Sequence, residues 1–229
     1  MDQLNLGDIT ITWLCGGNFE LDGGTMFGAV PKVLWQKLLP ADEQNYIKFL
    51  NAPLLVQTAE FNLIVDTGLG NKLTEKQKDI FRLYAPWSLP QDLEELGLNR
   101  EDIHYVILTH GDFDHAGGVV MYNENNTPEL TFPNAKHIIQ YGEWYDITYP
   151  NTRASNTYWA ENFTGLKESG NLVTIKGDRE IVPGIRTKLT GGHTRGYQIV
   201  EILGSEASAG HLGGVMPTHA HTHPLWIMA

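Results

Sequence analysis

Short apolar runs separated by polar turns dominate the chain. Residues 9–14 (ITITWL) and 54–58 (LLVQT) are rich in β-branched and leucine positions and predict strands. Residues 61–65 follow the second run after only Ala59 and Glu60, which predicts a hairpin. Residues 103–108 (IHYVIL), 136–141, 171–175, 185–189 and 197–203 predict five further strands. Residues 75–84 are polar with spaced apolar positions and predict a helix. Ser88 with Pro90 and Gln91 resembles a capping box, so a second helix is expected to start at Leu89 and stop near Gly97. Residues 142–147 and 156–163 predict short helices with aromatic faces.

This order is strand-rich α/β (α+β) with several β-β neighbours, not the strict alternation of a doubly wound sheet. No repeat or low-complexity tract divides the chain, and its 229 residues are expected to form one domain. Twenty-seven acidic against 16 basic residues leave a net charge of −11, which argues against a nucleic-acid partner. No apolar run approaches the roughly 18 residues of a membrane helix, so no membrane partner is expected. The start, MDQLNLGDIT, shows no signal-peptide pattern, and the lone Cys15 fits a reducing compartment. A soluble, cytoplasmic domain of enzyme size is the expectation.

The chemistry concentrates in residues 106–118, VILTHGDFDHAGG. An apolar strand ends at Thr109, and the next six residues supply His110, Asp112, Asp114 and His115. Imidazoles and carboxylates so closely spaced on one loop can converge on one or two divalent ions. A solvated polar turn with a capping Asp is the bland alternative, and four ligand types in six positions weigh against it. A second loop, TGGHTRGY at 190–197, repeats the pattern of strand, glycines and histidine, and makes His193 the natural additional ligand. Asp66, at a strand end, is expected to orient the metal loop through hydrogen bonds. Tyr197 is a candidate to touch substrate. Trp35, Trp144, Tyr145 and Trp159 read as core or pocket wall, and His104 and His137 as ordinary strand residues.

These residues resemble the metallo-β-lactamase superfamily, whose signature is H-x-H-x-D-H followed by a later His, a later Asp and a final His. The match is His110-Gly111-Asp112-Phe113-Asp114-His115, then Gly192-His193-Thr194. Residues 22–31 (DGGTMFGAVP), 61–70 (FNLIVDTGLG), 108–118 (LTHGDFDHAGG) and 216–219 (MPTH) look closest to quorum-quenching N-acyl homoserine lactonase-like hydrolases. The resemblance implies an αββα sandwich of two mixed β-sheets flanked by helices, with metal at one edge. It implies a metal-dependent hydrolase that opens an ester-like bond, a lactone first, by a metal-bound hydroxide. His110, Asp112 and His193 would hold the first ion. Asp114 and His115 would hold the second, with Asp114 also the catalytic carboxylate. Zinc is the first expectation, with manganese or iron as alternatives, and a homodimer is allowed. Met26 and Phe27 would line an acyl pocket.

Three departures from the signature matter. Asp112 replaces its second His, Gly214 stands where a bridging Asp is expected, and the final His would lie beyond Ala229. The domain over 1–229 is therefore expected to lack a C-terminal helix/strand region, its last residues (224–229, PLWIMA) reading like an element cut at its start. His219, His221 and His223 alternate, so in an extended segment all three would point the same way and could offer a substitute ligand. The departures keep two other readings open: a non-catalytic metal- or ligand-binding scaffold, and a diiron oxidoreductase suggested by the carboxylate at 112.

Overall fold

A computed structural model describes residues 1–223 and 226. Seven strands form the larger sheet, and their spatial order follows the chain: Gln3–Asn5, Thr10–Trp13, Leu54–Gln57, Asn62–Val65, Tyr105–Ile107, Lys136–Gln140 and Leu172–Ile175. The first four pair antiparallel, including the expected hairpin with Gln57 opposite Asn62. The last three join in parallel. Parallel strands covered on both faces read as continuous apolar runs, which is why these segments were visible in the sequence.

Period-two alternation divides their side chains between two cores. Val56, Leu63, Val65, Ile107 and Ile138 turn inward, where they meet Val182, Ile185, Val200 and Ile202 of the second sheet. Leu55, Ile64, Val106 and Ile139 turn outward, under Leu89 and Leu93 of the helix Leu89–Glu95 and under Phe132 and Phe163. The second sheet is a wholly antiparallel meander of Arg179–Val182, Ile185–Leu189, Gln198–Leu203 and Ser208–His211. It buries one face only. Gln198, Val200 and Ile202 are buried, while Lys188 and Glu201 pair at 2.7 Å on the solvent side. The sandwich is as expected, with few helices.

Local details differ from the sequence expectation. The helix after residue 74 is short, Glu75–Ile80, and carries a complete capping box between Thr74 and Gln77. Ser88 does not cap its helix; its hydroxyl donates to Asp92 Oδ1 at 3.0 Å. Gly16 and Gly17 lie inside a strand, Gly16–Asp22, which pairs with Tyr46–Phe49 and Ala85–Trp87. Gly16 leaves no room for a side chain against Pro53 and Asn51.

The histidine-rich tail is not extended. Thr218 accepts from the Ala220 amide and starts a 3-10 turn, His219–Thr222. His221 is buried and stacks on Phe27, which stacks in turn on Trp35. The apolar end at 224–229 lies outside the described residues except for Trp226, whose ring meets Phe27 edge-on. No described helix is long and apolar enough to cross a membrane.

Candidate metal centre

Four strands of the two sheets end around one cleft of about 680 Å³. Asn62–Val65 delivers Asp66, Tyr105–Ile107 delivers the loop from Leu108 to His115, Ile185–Leu189 leads to His193, and Ser208–His211 leads to Gly214. The sheets are tied beside the site. The Gln198 amide donates to Thr109 O at 3.0 Å, and its side chain donates to Leu108 O at 2.8 Å.

His110, Asp112 and His193 converge, with one ligand atom from each lying within 4.8 Å of the others. Asp112 Oδ2 stands 3.3 Å from His110 Nε2 and 3.2 Å from His193 Nε2. Asp112 occupies the N-cap position of the turn Phe113–Ala116 without capping it, so its carboxylate is left for the histidines.

Asp66 sets the tautomers. Its carboxylate can only accept, and it takes the Thr109 amide and hydroxyl at 2.8 Å each, His115 Nδ1–H at 2.8 Å and His211 Nε2–H at 3.2 Å. The single Thr109 hydroxyl proton is thus committed, and Thr109 Oγ1 accepts from His110 Nδ1–H at 2.9 Å. His110 Nε2 is left with a bare lone pair. It is buried, and no hydrogen bond satisfies it. A lone pair facing a carboxylate oxygen at 3.3 Å calls for a cation between them. Tetrahedral donors about 2.0–2.1 Å from a zinc ion stand about 3.3 Å apart. The observed set fits a zinc-like ion.

Asp114 and His115 stand beside this group as a pair, with Asp114 Oδ2 3.6 Å from His115 Nε2. The Asp114 backbone is held by Asn51, whose amide donates to Asp114 O at 2.6 Å. Among the described residues the three-donor group is His110, Asp112 and His193, and neither Asp114 nor His115 joins it. Burial alone would push His115 down, but the carboxylates of Asp114 and Asp66 outweigh it and raise the imidazole to about 9. A cation taken by its Nε2 would have to displace a proton. Burial would raise Asp66, yet His115 and His211 hold it well below the usual carboxylate range.

Gly214 lies against the same group. A β-carbon there would stand 3.2 Å from His193 Nε2 and 3.3 Å from His110 Cε1. The tail histidines lie elsewhere. His221 spends both ring nitrogens, donating to Met26 O at 2.9 Å and accepting from Thr218 Oγ1 at 2.8 Å, and has no lone pair to offer. His219 and His223 are exposed. Their expected common face is lost because the segment is a 3-10 turn.

Tyr197 is fully buried and does not reach the cleft; its hydroxyl donates to Leu212 O at 2.6 Å and accepts from the Val215 amide at 3.2 Å, holding the turn that presents Gly214. Met26 lines the cleft as expected, whereas Phe27 is consumed by the Trp35–His221 stack. Sequence reasoning missed Thr109, His211 and Glu143. No local spacing marks them, since each acts on a residue far away in the chain or through a neighbour's tautomer.

The sequence model of the metallo-beta-lactamase superfamily matches residues 51–227. The chain belongs to this superfamily. An N-acyl homoserine lactonase of Bacillus cereus is 30% identical over 164 residues, covering 65% of this chain and 58% of that protein. The chain therefore spans somewhat over half the length of the curated relatives it matches. A probable metal-dependent hydrolase from Staphylococcus aureus superposes with a TM-score of 0.92 at 41% identity, covering 99% of this chain and 80% of the other. A dizinc quorum-quenching lactonase solved with a product superposes with a TM-score of 0.71 at 22% identity, over 91% and 72%, a likeness of fold within the superfamily.

Proposed function

We propose that the chain is a metal-dependent hydrolase of an ester-like bond in a small molecule, with a lactone the first substrate to test. The observation that carries this reading is His110 Nε2, buried without a hydrogen-bond partner and facing Asp112 and His193 at the floor of an open cleft. A divalent ion held by these three residues would supply an activated water at neutral pH and polarise a carbonyl. The superfamily and the lactonase relatives support the choice of chemistry.

The protein's own groups supply the rest. Thr109 and Asp66 keep His110 in the tautomer that presents Nε2. Asp114 lines the cleft, partly open to solvent, where its carboxylate can accept a proton from the attacking water. Phe19, Leu21, Met26, Phe49, Phe81 and Met216 give the cleft an apolar wall suited to an acyl chain. Zinc suits the nitrogen-rich set best, and the Asp112 oxygen leaves manganese or iron as the next candidates.

Gly214 favours a second reading, a scaffold that binds one ion without turnover, because it brings no carboxylate to a position aimed at the metal group. Metal content and hydrolysis of a lactone and ester panel, measured on one sample, separate the two. Bound ion with lactone or ester turnover supports the hydrolase. Bound ion with no turnover across the panel supports the scaffold.

A further inference from the structure

Glu143 is fully buried in the first turn of the helix Tyr141–Thr148, and the metal group does not use it. Its two oxygens accept four donors from three separate segments. Oε1 takes the Gly111 amide at 2.9 Å and the Tyr158 hydroxyl at 2.6 Å. Oε2 takes the Thr194 hydroxyl at 2.7 Å and the Gly196 amide at 3.2 Å. Gly111 lies between His110 and Asp112 in the chain, and Thr194 immediately follows His193. One carboxylate therefore grips the backbone between two ligands with one oxygen and the loop of the third ligand with the other.

The surroundings fit that task. Gly196 has no room for a β-carbon because the Glu143 backbone lies against it, so the His193 loop is seated directly on this helix. Three residues further along the helix, Asp146 takes Arg195 through two bonds of 2.9 and 2.6 Å and ties the same loop from the solvent side. A buried carboxylate is costly to desolvate and is kept only where its donors are fixed. Four donors on two oxygens leave it well satisfied. Their identity is informative: three of the four belong to the two loops that carry the metal group.

We infer that Glu143 is a positioning residue for the metal centre, setting the distance between the His110–Asp112 loop and the His193 loop. The inference rests on the metal-centre reading above. Groups that orient metal ligands from behind cost about 10–100-fold in metal affinity when removed. Glu143 reaches the ligands through backbone and a neighbouring hydroxyl, so its effect belongs to affinity and coordination geometry rather than to the chemical step.

The test is zinc affinity by chelator competition, with the absorption spectrum of the cobalt-substituted protein and the melting temperature of the metal-free protein read on the same samples. Glu143→Gln keeps the volume but turns an amide group toward an N–H donor. It is expected to bind zinc about 10–100-fold more weakly and to show an altered cobalt spectrum. Thr194→Val removes only the link to the His193 loop and is expected to shift affinity in the same direction by less. Lowered melting temperature with wild-type zinc affinity and cobalt spectrum in Glu143→Gln would show a purely structural role and overturn the inference. Should Glu143→Gln not fold, Thr194→Val decides, and wild-type affinity there overturns it. Wild-type protein that binds no zinc would overturn the metal-centre reading and this inference together, whereas a zinc-binding wild type with an equally competent Glu143→Gln defeats this inference alone.

Discussion

Gly214 faces His193 so closely that a β-carbon on it would stand 3.2 Å from His193 Nε2. The position where the superfamily resemblance places a bridging carboxylate is thus aimed at the metal group and holds a glycine. His110, Asp112 and His193 are the converging set that could hold an ion.

Gly214→Asp returns a carboxylate to that position. Its nearest neighbours there are imidazole edges at 3.2–3.3 Å, which must give by a few tenths of an ångström, and the left-handed backbone lies one residue earlier, at Gly213. Metal analysis of the variant is expected to show a second ion bound beside Asp114 and His115. Unchanged stoichiometry in the folded variant would show that the carboxylate does not reach them.

Asp66→Asn replaces an all-acceptor group by one with a single acceptor, while the Thr109 amide and hydroxyl, His115 and His211 all donate toward it. Breaking a buried charge network of this kind costs about 3 kcal/mol. Zinc affinity should fall by about 10–100-fold, because the Thr109 hydroxyl is no longer held by the carboxylate and no longer fixes the His110 tautomer. Urea unfolding and chelator competition check the two effects separately. A variant with wild-type affinity would mean that Asp66 does not control the ligands.

His221→Ala should leave zinc stoichiometry and affinity unchanged, since both ring nitrogens are engaged by Met26 O and Thr218 Oγ1. Its cost is in stability, about 2–3 kcal/mol from the lost stack on Phe27 and the lost hydrogen bonds. A zinc titration in which the variant loses an ion would reinstate the tail as a ligand source.

His137 is expected to give the protein a pH dependence away from the candidate metal centre. It is fully buried, its Nδ1–H donates to Ala135 O at 3.1 Å, and burial pushes it down to about 4. The unfolded chain, with a histidine near pH 6.5, takes up this proton first as pH falls. The stabilising contribution is therefore complete above about pH 6.5 and is lost between there and about pH 4, about 3 kcal/mol in all. His137→Leu should unfold with a shallower loss of stability between pH 7 and pH 4.5 than the wild type. Equal slopes would show that His137 does not drive it.

The sequence made legible whatever is written locally. The run from Val106 to His115 announces strand, turn and ligands within ten residues, and the central strands of the large sheet, Leu54–Gln57, Asn62–Val65 and Tyr105–Ile107, are short apolar runs. The strand Gly16–Asp22 was not legible, because its two glycines answer to Pro53, Asn51 and Leu69, distant in the chain. Glu143 resembles any first-turn glutamate until the helix Tyr141–Thr148 is set against loops 32 and 51 residues away in the chain. The tail misled for a physical reason. Thr218 opens a 3-10 turn over His219–Thr222, where alternation assumed an extended backbone.

The central claim is that His110, Asp112 and His193 hold a divalent ion. Zinc titration of wild type and His193→Ala, followed by competition with a chromophoric chelator, tests it most directly. One tightly bound ion per chain in the wild type, lost or greatly weakened in His193→Ala, is the expected result; no tight ion in the wild type, or an ion held equally well without His193, would contradict the claim.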